Sequence, residues 1–310
     1  MAKFAFVFPG QGSQNVGMLA ELAAVYPQLK KTFCEASEVL GYDLWQLVSN
    51  GPAEELNKSW QTQPVLLAAS VAIYRVWQQQ GGKQPSLMAG HSLGEYSVLV
   101  CAGVMAFSDA IKLVELRGKL MQEAVPEGMG AMQVIIGLNA LAIYKVCEES
   151  AQGQVVSPAN FNSPKQIVIS GNKEAVERAR VACEAAGAKR TLLLPVSVPS
   201  HCALMKPAAT KLKIALEKIT FNAPLIPVIN NVDVKCESEV AKIRYALVRQ
   251  LYNPVRWTEI VEFMASQGVT HILEMGPGKV LTGLTKRIMC NLTAAAVNDP
   301  TSLSAALKQE

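Results

Sequence analysis

The chain has 310 residues, of which 50% are hydrophobic and 17% are charged, a composition that is typical of a globular protein and excludes an intrinsically disordered one. Its formal net charge is +4, and the basic residues are scattered along the chain, which argues against a nucleic-acid-binding protein. The seven cysteines form no Cys-x-x-Cys pair, and no apolar run reaches the length of a membrane span. We therefore expect a cytoplasmic protein without disulfides and without a membrane segment.

Strand and helix patterns alternate from the N-terminus. Residues 3–8 are predicted to form a strand, which the glycine-rich turn 9–14 follows. The apolar periodicity next predicts helices and one further strand: helices at 18–24, 28–40 and 64–80, a strand from Leu87, a helix after Gly94 and a helix at 108–124. Such alternation predicts an α/β fold built on a largely parallel sheet.

Residues 129–196 have a different order of elements. Their pattern predicts strands at 131–136, 155–160, 166–170 and 191–196, with helices at 139–151 and 173–186. This β-α-β-β-α-β order is that of a ferredoxin-like unit, whose two ends can lie close together in an insertion. We therefore predict a ferredoxin-like insert at 129–196 in a discontinuous core formed by 1–128 and 197–310.

The core pattern resumes after the insert. Predicted helices lie at 207–219, 239–251, 257–267 and 279–290, and predicted strands lie at 227–229, at 270–274 and near Ala294. The cleft between core and insert is the expected substrate site, because ligands commonly bind between two such units.

A nucleophile motif follows the predicted strand at Leu87. The sequence Gly90-His91-Ser92-Leu93-Gly94 matches Gly-x-Ser-x-Gly, with a short apolar strand before it and a helical pattern after it. In this strand–turn–helix context the pattern marks a nucleophilic serine, and the two glycines leave room for a tight turn. A chance glycine-serine turn is the alternative interpretation.

A serine nucleophile needs a base, and the chain has only three histidines. His91 precedes Ser92, so we expect its side chain to point to the opposite face, and His271 lies in an apolar strand typical of a core histidine. His201 follows a strand in an irregular loop and is therefore the candidate base.

The third group of a triad has no obvious candidate carboxylate. The acidic residues between Ser92 and His201 fall in helical patterns rather than in loops at strand ends. The helix that ends near Gln250 is terminated by Asn253-Pro254, so its last carbonyls lack intrahelical partners. A carbonyl near Gln250 is thus one group that can orient His201, although the residues alone do not establish it.

An oxyanion hole requires two backbone amides directed at one point. One is expected from Leu93, which follows the nucleophile, and the other from the turn Gly10-Gln11-Gly12 after the first strand. A dinucleotide-binding loop is excluded for this turn, because the glycine spacing is not Gly-x-Gly-x-x-Gly.

Arg117 interrupts the apolar stripe of the helix predicted at 108–124. It lies three and four residues after Val114 and Leu113, on the face that should pack against the core. A charge in this position must be paired or must reach a cleft. The functional interpretation is a guanidinium that binds a substrate carboxylate, and the alternative is a structural ion pair or an arginine whose charged end reaches solvent.

Together these motifs resemble the malonyl-CoA:acyl carrier protein transacylase family of bacterial type II fatty acid synthesis, over essentially the whole chain. The residues that carry the resemblance are distributed from end to end: Phe8-Pro9-Gly10-Gln11-Gly12-Ser13-Gln14, Gly90-His91-Ser92-Leu93-Gly94-Glu95, Arg117, Pro199-Ser200-His201, Gln250 with Asn253-Pro254, and Glu274-Met275-Gly276-Pro277-Gly278. The resemblance implies a hydrolase-like α/β core with a ferredoxin-like insert.

The resemblance also implies a role for each matching residue. Ser92 is the nucleophile, His201 is the base and the carbonyl of Gln250 orients that base. The remaining roles concern the substrate: Gln11 and Leu93 supply oxyanion amides, Arg117 binds the malonyl carboxylate, and Asn162 and Gln63 line the pocket.

The implied reaction moves a malonyl group from coenzyme A to the phosphopantetheine thiol of an acidic acyl carrier protein. It needs no metal and no redox cofactor, coenzyme A being part of the substrate, and we expect a monomer. A serine hydrolase with the same elbow and a non-catalytic carrier-binding protein remain as alternatives. The sequence leaves open the selectivity among malonyl and related acyl groups.

Overall fold

The computed structural model describes residues 3–196 and 198–309. Nine strands lie in these ranges: β1 (Lys3–Phe8), β2 (Leu87–Gly90), β3 (Gly130–Ile136), β4 (Val156–Ser163), β5 (Gln166–Asn172), β6 (Arg190–Leu193), β7 (Val228–Ile229), β8 (Val269–Met275) and β9 (Thr293–Val297).

Fourteen α-helices occur in the same described ranges. They are α1 (Ala20–Val25), α2 (Pro27–Leu40), α3 (Leu44–Asn50), α4 (Ala53–Leu56), α5 (Ser59–Gln79), α6 (Gly94–Cys101), α7 (Phe107–Ala124), α8 (Ala140–Ala151), α9 (Lys173–Ala185), α10 (Lys206–Glu217), α11 (Val240–Gln250), α12 (Trp257–Ser266), α13 (Val280–Ile288) and α14 (Pro300–Gln309). No helix among the described residues is both long enough and apolar enough to cross a membrane.

The larger sheet has the strand order β7-β2-β1-β8-β9, and all of its strand pairs are parallel. Along the central strand β1, Phe4, Phe6 and Phe8 contribute to one apolar cluster, while Ala5 and Val7 contribute to the cluster on the other face. A parallel sheet buried on both faces has this continuous apolar character. The predicted α/β class with a parallel core is confirmed.

The carboxyl ends of β1 and β2 lie side by side. Phe8 pairs with Gly90 in the register of the two strands, and the His91 amide donates a hydrogen bond of 2.9 Å to the Phe8 carbonyl. This pairing brings the turn after β1 next to the turn after β2, at the edge where α/β sheets place their ligands.

Strands β3 to β6 form a second, antiparallel sheet in the order β4-β5-β3-β6. Helices α8 and α9 interrupt the strands along the chain as β3-α8-β4-β5-α9-β6, which is the predicted ferredoxin-like order. One face of this sheet packs against its own helices through a cluster that includes Ile143 and Val176. A second, smaller cluster, which we call the wall cluster (Met132, Val134, Ala159 and Val168), covers the opposite face.

The division into a core and an insert at 129 and 196 stays a prediction, although the strands of the second sheet run from Gly130 to Leu193, inside those bounds. The last of these strands was expected to continue to Val196. Strand β6 ends at Leu193, although the Leu194 amide still donates to the Met132 carbonyl of β3. The chain turns after Leu194, where the Val196 amide donates to the Leu194 carbonyl instead of to the sheet.

Helix α5 also differs from the expectation, which placed its start at residue 64. The helix begins five residues earlier, at Ser59, and contains Pro64 in its interior. Helices α3, α4 and α14 were not predicted. A usable signal was present for α3, whose N-cap residue Asp43 accepts a hydrogen bond from the Gln46 amide.

The contact of α7 with α5 has little free space at Gly118. A Cβ atom at this position would lie 2.5 Å from the Trp60 Cα atom, which belongs to the backbone and cannot move freely. We predict that Gly118→Ala lowers the free energy of unfolding by about 1–3 kcal/mol, because the added methyl group overpacks the helix contact. Denaturant titration measures this change.

Gly283 in α13 provides the matched control. A Cβ atom there has no neighbour within 4 Å, and its backbone is helical. Gly283→Ala should therefore raise the free energy of unfolding by up to about 1 kcal/mol. Equal effects of the two substitutions would contradict the packing that we describe for Gly118.

Candidate active site

A cavity of about 260 Å³ lies between the parallel core and the antiparallel sheet. Most of its polar lining comes from the core, and the apolar lining includes Met132, Val134 and Val168 of the wall cluster. Among the residues selected from sequence, those that line the cavity are Gln11, Ser92, Arg117, Asn162 and His201. These residues come from five separate parts of the chain, so the fold itself assembles the cavity.

Ser92 lies in a sharp turn between β2 and α6. Its φ angle is +52°, a left-handed conformation that a residue with a side chain adopts only under constraint. The flanking glycines make this turn possible: a Cβ atom on Gly90 would lie 1.9 Å from the Gly94 carbonyl carbon, and one on Gly94 would lie 2.1 Å from the Phe8 oxygen. The backbone thus holds the serine hydroxyl at the end of a buried strand.

The imidazole of His201 contacts this hydroxyl. Ser92 Oγ and His201 Nε2 are 2.7 Å apart, and His201 Nδ1 lies 2.7 Å from the backbone oxygen of Gln250. Because a carbonyl oxygen only accepts hydrogen bonds, Nδ1 carries the proton and Nε2 of the neutral ring accepts from the serine hydroxyl. This is the arrangement of a nucleophile, a base and a group that orients the base.

The local chain explains why the Gln250 oxygen is available. Gln250 is the last residue of α11, so its carbonyl has no intrahelical partner. The His201 amide donates a 2.9 Å hydrogen bond to the next carbonyl, that of Leu251, which holds the His201 loop against the end of the helix.

The imidazole is strongly biased toward its neutral form. His201 is 2% exposed, and burial, followed by the positive charge of Arg117, lowers the pKa of His201 to about 3. The carbonyl of Gln250 acts in the opposite direction but does not compensate for burial. Neutral imidazole is the form that can accept a proton from Ser92.

Arg117 is 1% exposed and extends from α7 to the cavity. Its guanidinium donates to Gln63 Oε1 at 2.9 Å and to Gln250 Oε1 at 3.1 Å, and it lies 5.3 Å from the centre of the Tyr96 ring. In the described part of the chain no carboxylate forms an ion pair with it, and its Nε atom has no acceptor. A buried cation held by neutral amides can bind an incoming anion at low desolvation cost.

The two predicted pocket residues Asn162 and Gln63 occupy different places. Asn162 lines the cavity, and its Oδ1 accepts a 2.8 Å hydrogen bond from His91 Nε2. Gln63 is fully buried and is not among the lining residues, contrary to the prediction that it lines the pocket; its Oε1 accepts a hydrogen bond from Arg117 instead. Their roles toward a substrate stay predictions.

The expectation for His91 was wrong. Its side chain was expected on the face opposite Ser92, yet it lines the same cavity and packs 5.4 Å from the Trp257 ring. The left-handed turn at Ser92 breaks the regular alternation of an extended strand, which is why the alternation rule failed here. His271 is half-buried on β8 and lies 2.9 Å from Thr270 Oγ1.

The proposed oxyanion amides belong to the two adjoining turns. Leu93 directly follows Ser92, and Gln11 lies in the turn after β1, where its side chain donates to Ser59 Oγ at 3.0 Å. Gly10 brings the turns together, since a Cβ atom there would lie 2.5 Å from the His91 oxygen. The backbone amide of Ser92 itself does not serve as an oxyanion donor in this structure, because it donates to Asn231 Oδ1 at 2.8 Å.

Two buried residues behind the serine received no role from the sequence: Asn231, which was not selected, and Glu95, which was noted only as part of the serine motif. Asn231 also donates from Nδ2 to the Gly90 oxygen at 2.7 Å, so its side chain contacts the chain on both sides of His91. Burial raises the pKa of Glu95 to about 7, against hydrogen bonds from Gln250 and Asn231 that lower it. A signal existed for Asn231, because it directly follows the buried strand β7 at the carboxyl edge of the sheet.

Comparison with known proteins places the chain in a family. The model of the acyl transferase domain matches residues 5–301. The malonyl CoA-acyl carrier protein transacylase of Salmonella typhimurium is 73% identical over 309 residues, with 100% of both chains covered. Its Escherichia coli K12 counterpart is 72% identical over 308 residues, covering 99% of this chain and all of the relative.

Solved structures also match over nearly the whole chain. A malonyl-transacylase solved in complex with a type II polyketide synthase acyl-carrier protein superimposes with a TM-score of 0.99 at 70% identity, and 100% of both chains is covered. The malonyl CoA-acyl carrier protein transacylase of Coxiella burnetii gives a TM-score of 0.98 at 52% identity, covering 99% of this chain and 98% of that one.

The lowered pKa of His201 leads to a prediction about its protonation. We expect its ring to stay neutral between about pH 5 and pH 8, whereas an unperturbed histidine titrates near pH 6.5. Unfolding exposes the ring, which then gains a proton below about pH 6.5, so this group contributes stability that is lost as the pH falls from about 6.5 toward 3. Ring NMR of labelled histidine, assigned with His201→Asn, measures the titration. A midpoint near 6.5 would contradict the prediction.

Proposed function

Because the chain belongs to the acyl transferase family that includes the malonyl CoA-acyl carrier protein transacylases, we propose that it transfers malonyl groups from coenzyme A to an acyl carrier protein. The group passes through an ester of Ser92 and supplies extender units for fatty acid synthesis. The observation that carries the proposal is the unpaired Arg117 in the same cavity as the Ser92–His201 pair. A simple esterase has no use for such a buried cation.

The first half of the reaction forms the acyl-enzyme. Ser92 Oγ attacks the thioester carbonyl of malonyl-CoA while His201 Nε2 takes the hydroxyl proton. The carbon–sulfur bond then breaks, and the coenzyme A thiolate receives the proton from His201. The malonyl group remains as an ester on Ser92, with its free carboxylate on the guanidinium of Arg117.

The second half reverses these steps with a different thiol. The phosphopantetheine thiol of the carrier protein gives its proton to His201 and attacks the ester carbonyl. Ser92 leaves and recovers the proton, and malonyl thioester departs on the carrier. The amides of Gln11 and Leu93 stabilise the oxyanion in both halves, and each such donor contributes roughly 100- to 1,000-fold in turnover.

The partner is expected to be acidic, and a basic side chain contacts a residue of the cavity lining. Arg287 in α13 donates to Gln166 Oε1 at 2.7 Å, and Gln166 lines the cavity. Complementary charge steers such encounters. The relative solved with its acyl-carrier protein supports this choice of partner.

We place the reaction in the cytoplasm and expect a monomer. All seven cysteines lie within the described residues and are unpaired, in keeping with a reducing compartment. The chemistry needs no metal or redox cofactor, because the nucleophile, the base, the oxyanion donors and the carboxylate-binding cation are all protein groups.

The acyl-enzyme provides the direct test. Incubation with malonyl-CoA should add one malonyl group to the intact protein, and peptide mapping should place it on Ser92. Ser92→Ala should abolish the adduct, while Ser97→Ala, a buried serine on α6, should retain it. Addition of phosphopantetheinylated carrier should move the label to the carrier. Release mainly as free malonate would indicate a hydrolase, and unchanged transfer by Ser92→Ala would indicate a carrier-binding role without this nucleophile.

Arg117 should determine the preference for a dicarboxylic acyl group. We predict that Arg117→Ala lowers kcat/KM for malonyl-CoA roughly 100-fold or more, because the substrate carboxylate loses a desolvated charged partner. The value for acetyl-CoA should change far less, so the ratio of the two constants is the measurement. Arg180→Ala is a suitable control, since that arginine pairs with Glu177 and Glu184 on the surface of α9. A malonyl-to-acetyl ratio unchanged by Arg117→Ala would make the arginine structural.

A further inference from the structure

Glu95 is a buried carboxylate that the proposed reaction does not use. It is 3% exposed, lies in the first turn of α6 and follows the nucleophile by three residues. Its Oε2 atom accepts two hydrogen bonds, at 2.7 Å from the side-chain amide of Gln250 and at 3.1 Å from the backbone amide of Asn231. A buried carboxylate is costly unless its partners need it, so its position requires an explanation.

The side chain of Gln250 connects this carboxylate to the cavity. Its Nε2 donates to Glu95 and, at 2.9 Å, to the backbone oxygen of Ser92, while its Oε1 accepts from Arg117 at 3.1 Å. The backbone oxygen of the same residue holds His201. One residue therefore contacts the chain at the nucleophile, the base and the cation.

The amide of Gln250 can in principle be turned by 180°, which would exchange its donor and acceptor. The oxygen of Glu95 and the backbone oxygen of Ser92 both accept hydrogen bonds from the NH₂ group of Gln250. Arg117 only donates and faces the oxygen of the same amide, so these contacts together fix its orientation. The Asn231 amide donates to the same oxygen of Glu95 and so provides a second fixed partner for that side chain.

We propose that Glu95 is a positioning residue, which acts through the side-chain amide of Gln250 to hold the Ser92 turn and Arg117 in the geometry required for acylation. Unlike the carboxylate of a usual triad, Glu95 does not contact the base itself. It contacts the side chain of Gln250, the residue whose backbone oxygen orients His201. The proposal rests on the proposed function, since Ser92 acylation is the step that it serves. What Glu95 supplies is an acceptor at one fixed place, and its negative charge is secondary.

Three substitutions separate the acceptor from the charge and from the volume. Glu95→Gln keeps an acceptor oxygen at the same place without the charge. Glu95→Asp keeps the charge but withdraws the acceptor by one methylene group. Glu95→Met keeps the volume and removes the acceptor, and Glu274→Met is its control, because Glu274 is a buried carboxylate that binds the α13 amides of Leu281 and Thr282 instead.

The primary measurement is the rate at which a fluorophosphonate reagent labels Ser92 in the full-length protein, with the unfolding midpoint measured in parallel. This reagent contains no malonyl group, so its result stands even if the protein transfers another acyl group. The rate of malonyl transfer is the second measurement, and its absence in the unmodified protein would refute the proposed function without bearing on Glu95.

We expect Glu95→Gln to label within about threefold of the unmodified protein and Glu95→Asp and Glu95→Met to label roughly 100-fold more slowly, as a small misplacement of reacting groups predicts. Glu274→Met should lower the unfolding midpoint and leave labelling within about threefold. In a Gln250→Met background, Glu95→Met should lower the labelling rate little further, because the side-chain amide through which Glu95 acts is already absent. If Glu95→Met does not fold, the comparison of Glu95→Gln with Glu95→Asp still tests the proposal.

Three results would overturn the proposal. One is an equal loss of labelling rate in Glu95→Gln and Glu95→Asp. Another is labelling in Glu95→Asp that exceeds labelling in Glu95→Gln, since this would make charge the essential property. The third is a drop in labelling rate on Glu95→Met that is as large in the Gln250→Met background as in the unmodified protein.

Discussion

The hydrogen bond from His201 Nδ1 to the Gln250 carbonyl organises this site, because it requires a helix to end at one particular residue. Had α11 continued by another turn, the carbonyl would bind an amide of its own helix and the imidazole would lose its orientation. The Asn253-Pro254 sequence prevents that continuation. A local rule of helix termination thus determines the tautomer of a side chain nearly fifty residues away in the chain.

A carbonyl in place of a carboxylate also alters how the base behaves. It orients the ring but brings no full negative charge, and the nearby guanidinium disfavours the protonated imidazole further. In the proposed reaction, an imidazolium at this position is disfavoured and can return its proton to a leaving thiolate. This property suits a reaction in which both the leaving group and the second nucleophile are thiols.

The sequence was sufficient where a short segment carries its own physical reason. Ser92 was identified by its glycine turn, His201 by its loop, and Arg117 by its charge on an apolar stripe, and all three line one cavity. It was insufficient where distant segments meet. The bond between Glu95 and Gln250 joins residues 155 positions apart, and no local pattern of either residue encodes it. The early start of α5 was hidden for a related reason, since its first turn contacts Gly118 of α7, a segment distant in the chain.

The wall cluster has a consequence for how such a protein can evolve. The reacting groups Ser92, His201 and Arg117 belong to the parallel core, whereas the apolar wall opposite them belongs to a sheet with its own helices and its own packing. Substitutions at Met132, Val134 or Val168 can reshape the space for an acyl group while the chemistry remains untouched. Under the proposed function, selection for a new acyl chain can therefore act on the wall cluster apart from the elements that carry Ser92, His201 and Arg117.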